Sequence, residues 1–531
     1  MKNIGLIFIV LFSFKSIYSQ QNELKLDDVE VIKEFNARIG NFNKVNIDPV
    51  LPVYDIKSRK YEYKIRSVPA KLEYEKPKIR PLALKPELPR DVNRFHTLLA
   101  YGSHQLLRID ADAFMQKGSW SGGVVVNHIS ANNEKSLKDQ KISVSGLALV
   151  AESVDKIRKH SYEINLKANN SYIYLYALDQ GDSIYSADSK RRYLSADLSA
   201  KFKAEELFPG VRNDAEIRIR TFQFNAKDLS ENELIIKNKA TYNIGNNSRV
   251  ELPLNFQSVL GRQDYLMQLK PYFNYSSRPL NLKVGVSMGI ADDKKILGPY
   301  AEISSNLWHN FIELFAEYSS ELYLNNDFQK IILNPFYSFN DINSKTTRNV
   351  ILTAGLRNSL EGAKIEFKVG YHKFKDHLFF KIDSIDRRTF NSVYDDGTNV
   401  RIEAKASYKP LKKFEIGSTV VKNIYQLNNF DKPWYTPDLT ANIFANISML
   451  SDKIFIGSEL YFGSAPWYED ENGNNRKLKP LLDLNGTVKY FISKKGACFV
   501  NLNNIFSQNY YRWYKYPDYG LNLMAGFELR F

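Results

Sequence analysis

Cysteine is nearly missing from this sequence: Cys498 is the single thiol in 531 residues. One thiol closes no intramolecular disulfide, so a fold stapled by disulfides is excluded. Beyond the first twenty residues no run of about 18 apolar residues occurs, the length a helix needs to cross roughly 30 Å of hydrocarbon. A bundle of membrane helices is therefore not expected. Histidine is also scarce, at seven residues: His96, His104, His128, His160, His309, His372 and His377. No two of them have the spacing of a zinc site, and His372 and His377, an odd number apart, would face opposite sides of a strand. The one G-x-S-x-G match, Gly285 to Gly289, lies within a period-two run and not at the strand-to-helix turn that a nucleophile elbow needs. These absences leave no signal for an enzyme, a metal or another cofactor.

Aromatic residues, by contrast, are plentiful. They make up 13% of the chain, with 33 Tyr and 33 Phe. Amphipathic rings in that number suit the two interfacial girdles of a membrane barrel. The opening stretch, MKNIGLIFIVLFSFKSIYSQ, has Lys2, an apolar run from Ile4 to Phe14 and a small residue at Ser19. This pattern predicts a signal peptide over residues 1–19 and export from the cytoplasm. The net charge of +14 would fit nucleic acid in a cytoplasmic protein. In an exported chain whose Lys and Arg alternate with apolar residues, it reads instead as the lining of a lumen and its loops.

Residues 20–93 stand apart from the rest. Seven of the 19 prolines fall between Pro49 and Pro89, and EKPKIRPLALKPELPRD has neither a helix nor a strand period. An extended, proline-rich periplasmic arm or a vestigial plug is expected there. From residue 94 onward, strands alternate with turns. In YEINLKAN, residues Tyr162, Ile164, Leu166 and Ala168 share one face and Glu163, Asn165 and Lys167 the other. YLSADLSAKFK and RIEAKASY repeat the pattern, as do Leu521, Leu523, Ala525, Phe527, Leu529 and Phe531 at the end of the chain. The apolar faces are padded with alanine and the polar faces carry both charges. Close-packed interiors want larger side chains, whereas lipid accepts small ones. The apolar face is therefore expected to meet lipid.

The connections agree. SKKG, SDK, KPLKK, LEGA, SSRP and GNNS are short, and they alternate with longer ones such as YYRWYKYPDY and KIDSIDRRTFNSVYDDGTN. Short periplasmic turns and long external loops mark an outer-membrane barrel. The sequence thus predicts an all-β fold: a transmembrane antiparallel β-barrel over residues 94–531, of about 22 strands (range 16 to 22) by the spacing of these alternating segments, with an extended N-terminal arm. Phe531, an aromatic residue ending a period-two strand, matches an insertion signal for the barrel assembly machinery.

The closing segment resembles the last two strands of TonB-dependent receptors, through Asn501, Leu502, Asn504, Tyr510, Tyr516, Pro517, Gly520 and Phe531. In the arm, KLDDVEVIKEF looks like the segment such receptors offer to TonB, with Asp27, Asp28, Val29, Val31 and Ile32 as the matching residues. The resemblance implies a 22-strand barrel in the outer membrane, uptake of a bulky solute and TonB as a partner. The arm is too short for the plug domain of that family, so the likeness is to its plug-poor members from Bacteroidetes. A barrel that does not transport, but scaffolds a partner outer-membrane or surface protein, is the alternative.

Three groups of polar and aromatic residues are candidate sites. The loop aromatics Trp434, Tyr435, Trp467, Tyr468 and Trp513, with Tyr511 and Tyr514, would either stack on a ligand or form the outer aromatic belt. EDENGNN, from Glu469 to Asn475, offers oxygen ligands but lacks the glycine a calcium loop needs, and reads more simply as a solvated loop. Arg218, Arg220, Glu313 and Glu317 would line a water-filled path or pair across the lumen and brace the barrel.

Overall fold

Which way the apolar face turns is decided by the last strand, Asn522–Arg530. Leu523, Phe527 and Leu529 are 48%, 64% and 42% exposed, whereas Asn522, Met524 and Glu528 are 3%, 4% and 4% exposed. The greasy side points out and the polar side in. The same inversion holds along other strands: Ile164, Leu166, Leu198, Ile217 and Ile219 are exposed, while Asn165 and Ser199 are buried. In water such a surface would drive aggregation; in lipid it is the surface a spanning barrel requires.

The computed structural model describes residues 95–531 except 156, 178–188, 225–228, 263, 293, 308–310, 340–343, 361, 471 and 509. The predicted signal peptide, the arm and the TonB-like residues Asp27 to Ile32 lie outside the described residues.

All wall pairings are antiparallel between neighbours in the chain, and the first strand, Phe95–Gly102, pairs with both the second, Leu106–Lys117, and the last. The sheet closes on itself. Two short segments, Tyr265–Leu269 and Tyr272–Ser277, occupy a single slot between Ser248–Leu260 and Leu280–Ala291. They are one strand interrupted at Pro271, which has no N–H to give the ladder. The barrel accordingly has 22 strands. Closure removes every sheet edge that would otherwise leave backbone groups unpaired in hydrocarbon.

The short connections lie at the end that carries Phe95 and Phe531. Gly362 supplies the positive φ (76°) for one of these tight turns. The opposite, outer end is more elaborate. Ala363–Ile382 and Phe390–Leu411 run to 20 and 22 residues. Most of the segment expected to be a long loop over residues 381–399 is therefore strand. Above the lipid neither face of the hairpin needs to be apolar, so the alternation that marks a strand fades there. A seven-residue helix, Asp327–Leu333, caps its own start by accepting the Gln329 N–H on the Asn326 side chain at 3.0 Å.

Histidine placement departs from simple alternation. A β-bulge between Phe374 and His377 shifts the register against the next strand. His377 thus comes to lie beside Phe374, with ring centroids 4.7 Å apart, on the inward side shared with His372. The odd spacing that would separate the two histidines is cancelled by the extra residue.

The charged inner faces pair with their neighbours on the wall. Arg220 donates to Asp197 at 3.2 Å and to Glu233 at 3.1 Å, and Arg218 to Glu216 at 2.5 Å. Arg357 makes a two-pronged contact with Glu313, both bonds 2.7 Å. Glu317 lies opposite Glu302 in the ladder. Buried Glu403 gathers Lys368, Arg401 and Lys405, and buried Glu251 gathers Lys239 and Arg249. These pairs of Arg218, Arg220 and Glu313 run along the wall, within a strand or between adjacent strands, and not across the lumen as the bracing reading expects.

Candidate functional site

The outer connections are too rich in rings to stay in water. NPFYSF, residues 334–339, follows the helix and turns inward. Phe336 stacks on Tyr516 with centroids 3.5 Å apart, and Phe339 stacks on Phe224 at 3.9 Å. The Ser338 N–H donates to the Phe390 carbonyl at 2.7 Å, and the Phe390 N–H to the Phe336 carbonyl at 3.1 Å. Tyr193 donates its hydroxyl to the Pro335 carbonyl at 2.9 Å, and Arg191 donates to the Tyr337 carbonyl at 2.6 Å. Lys330, fully buried, donates to the hydroxyls of Tyr337 and Ser344, both at 3.2 Å.

The hairpin Tyr511–Trp513 with Tyr516–Pro517 brings the last connection to the same place. Tyr516 meets the edge of Tyr176 at 4.9 Å and donates its hydroxyl to the Arg388 carbonyl at 2.5 Å. Trp513 packs on Phe390 at 5.1 Å and Tyr435 at 4.8 Å. Connections that leave the wall many strands apart are thus in contact. The chain can join them only by bridging the mouth, so these rings form an aromatic cap over the outer end. Burial above all holds the hydroxyls of Tyr176, Tyr435 and Tyr516 well above the ordinary tyrosine pKa. They serve as neutral groups in a dry core.

The candidate aromatics divide between two places. Trp434, Tyr435 and Trp513 are at most 9% exposed inside the cap; Trp434 donates its indole N–H to Asn475 at 2.9 Å. They face neither lipid nor the outside. Tyr468 stacks on Tyr514 at 4.5 Å, at the edge of an open cavity of about 420 Å³. Trp467, beside it, has Lys432 and Lys477 over its ring at 4.9 and 4.6 Å. Three lysines, Lys477, Lys479 and Lys515, line this cavity together with Tyr176, Tyr511 and Tyr514. The sequence reading did not single out those lysines or Tyr176. The crowding of rings in YYRWYKYPDY was the available clue, but only contact between distant loops makes it a site.

The acidic turn is spoken for. Asp470 accepts the N–H groups of Asn472 and Asn474, both at 2.9 Å, and pairs with Arg476 at 2.7 Å. Those backbone N–H bonds, more than any other contact, hold its carboxyl below the usual range. Among the described residues no group of three or more His, Cys, Asp or Glu side chains is arranged to hold a metal ion.

No family model and no curated protein sequence matches the chain. Solved structures do. The FrpB iron transporter from Neisseria meningitidis (F3-3 variant) superposes with a TM-score of 0.66 at 10% identity, over 82% of this chain and 81% of that one. This chain has the barrel fold of the TonB-dependent receptors. The ferric-catecholate import receptor Fiu from E. coli K12 in its closed form gives 0.64 at 9% identity, over 83% and 82%. The pyoverdine outer membrane receptor FpvA from Pseudomonas aeruginosa PAO1, bound to pyoverdine, gives 0.60 at 12%, over 82% and 78%. At these identities the likeness is one of fold, and with the apolar belt it sets this TonB-receptor-type barrel in the outer membrane.

Proposed function

We propose that the protein is an outer-membrane receptor that admits a bulky solute through the lumen of its 22-strand barrel. The observation that carries this reading is the aromatic cap. A wall this large encloses a lumen that must be closed against leakage, and here the outer closure is built from connections rather than from the wall. Connections can move while the barrel stays intact. The three neighbours above, an iron transporter, a ferric-catecholate import receptor and a pyoverdine receptor by their descriptions, support uptake as the use of that frame.

In this reading Trp467 and Tyr468 meet the ligand, while Trp434, Tyr435 and Trp513 hold the cap shut. Asp27, Asp28, Val29, Val31 and Ile32 are the segment offered to TonB, and Phe531 is the signal read by the barrel assembly machinery. The arm of residues 20–93 controls passage from the periplasmic side.

Single-channel conductance in a planar bilayer tests the proposal, with the full chain compared with a chain lacking residues 20–93. A silent full chain and a large pore after truncation support gated uptake. If both stay silent, including after disruption of the cap, the barrel is packed shut and its role is to scaffold a partner protein.

A further inference from the structure

The helix Asp327–Leu333 and the NPFYSF segment behind it rest on the outer end of the strand Leu229–Asn243, and acids make the contact. The Asp327 N–H donates to Glu231 Oε2 at 3.0 Å, and the Asn326 side chain donates to Glu233 Oε1 at 3.0 Å. Phe328 meets the edge of Phe222 at 5.7 Å, and Phe222 is opposite Glu231 in the ladder. Beyond the outward pair Ile219 and Leu234, the outward positions are Thr221, Asn232, Gln223 and Ser230. These are polar, so the contact lies above the apolar belt.

Glu231 is 3% exposed, and its Oε1 has no hydrogen-bond partner among the described residues. The cations nearby serve other acids first. Arg262 is 2.9 Å from Asp327 but 3.9 Å from Glu231. Arg220 pairs with Asp197 and Glu233, and Lys330 lies 3.9 Å from Asp327. The remaining groups that face it are acids: Asp327 and Glu233 next to it, then Asp264 near Arg262 and Asp292 near Asp264. An ionised Glu231 would be a buried charge among like charges, whereas the neutral acid fits. Burial, and after it the charge of Asp327, raise its pKa to about 7.

We propose that the proton on Glu231 is a latch: with the acid neutral, residues 326–339 lie closed on the wall, and its ionisation favours their lifting. The segment carries Phe336 and Phe339 into the cap, so lifting it loosens the outer closure from one side. The latch goes beyond the uptake reading and does not depend on it, since a capped scaffold would carry it too.

In the lifted segment the carboxyl meets water and takes its ordinary value of 4.5. Between that value and about 7 the closed form keeps a proton that the lifted form gives up. Each pH unit in this window therefore makes lifting up to about tenfold easier. At higher pH both forms are ionised and the effect levels off.

Amide hydrogen exchange of the full-length protein in detergent micelles reads this lifting while the closed form stays in the majority. Rates are corrected for the intrinsic pH dependence of exchange. Protection of peptides covering residues 326–339 should then fall by about tenfold or more from about pH 5 to pH 7, and by less than about threefold over the next unit. In Glu231→Gln, neutral at every pH, protection should stay near the parent's level at about pH 5 throughout. Asp264→Asn, which removes the acid near Arg262, should keep the parent's fall. Retained heat-modifiable mobility on gels shows that each variant is folded. A flat profile in the parent overturns the latch whatever the variants do. A Glu231→Gln variant that keeps the parent's fall overturns it as well, and so does loss of the fall in Asp264→Asn alone.

Discussion

His96 and Glu528 are 432 residues apart and meet at 3.2 Å, Nε2 to Oε1, where the first strand closes on the last. The other ring nitrogen of His96 contacts Asp112 at 2.8 Å, so both nitrogens face carboxylate oxygens, which only accept. Glu528 also receives Lys489 and Arg530. One buried carboxylate therefore ties the last strand to the first, to Leu481–Ser493 two strands away, and through His96 to the second. Inside the seam, a Cβ on Gly526 would lie 2.5 Å from the Leu99 carbonyl and 2.7 Å from the Phe499 ring. No side chain fits there, and the strands close without a gap.

Removing Glu528 leaves several cationic groups without their shared partner, a change that costs about 3–5 kcal/mol for a buried pair. Glu528→Ala should lower the temperature at which the folded band disappears in heat-modifiable electrophoresis, and Arg357→Ala, at a half-exposed pair, should lower it much less. Equal effects of the two would show that the seam is not specially braced.

The direction of the strands was open to reading from the sequence because it rests on a local signal, alternation padded with alanine, and on loops of unequal length. Leu198 facing out and Ser199 facing in follow from nothing more. The cap was not legible for the opposite reason. Phe336 on Tyr516 is a contact between connections far apart in the chain, and neither has a period. The bulge at Phe374–His377 was hidden too, since an inserted residue changes facing without changing composition. The long hairpin above the lipid lost its alternation once both faces ceased to differ in environment.

A charge on the lipid face tests the assignment of sides. Leu198 is 46% exposed and pairs with Leu166 near the middle of its strand. Leu198→Arg should destabilise the barrel in vesicles by about 2–4 kcal/mol, the cost of arginine at the bilayer midplane, seen as a lower urea midpoint. Ser199→Thr, on the inner face of the same strand, should shift it by no more than about 1 kcal/mol. The reverse order would mean that the faces are exchanged.

Tyr516 holds the centre of the cap through its ring and its hydroxyl. Tyr516→Ala removes a buried aromatic side chain, a loss of about 3–5 kcal/mol, and Tyr516→Phe only a hydrogen bond to the Arg388 carbonyl, about 1 kcal/mol. With a factor of ten for each 1.4 kcal/mol, trypsin cleavage at Arg512 and Lys515 in the folded protein should rise by about a hundredfold to a few thousandfold for the alanine variant. For the phenylalanine variant it should rise less than about tenfold. Unchanged cleavage in both would mean that the hairpin stays in place without this residue.

Acid should loosen the cap by way of Asp386. Burial works against its charge, but the side chain and backbone N–H groups of Arg388 donate to it at 2.9 to 3.1 Å and hold its carboxyl below the ordinary value of 3.8. A carboxylate with a depressed folded-state pKa stabilises the fold fully above its unfolded value, and that stability is lost as pH falls through the folded one. Because the Arg388 carbonyl accepts the Tyr516 hydroxyl, protonating Asp386 releases the loop on which the cap is anchored. Tryptophan emission from buried Trp513, which packs against Phe390 and Tyr435, should be constant from neutral pH to pH 5 and shift to the red below about pH 4. In Asp386→Asn, with no charge to lose, the acid shift should be much smaller. A variant whose emission moves like the parent's would assign the acid step to another carboxylate of the cap.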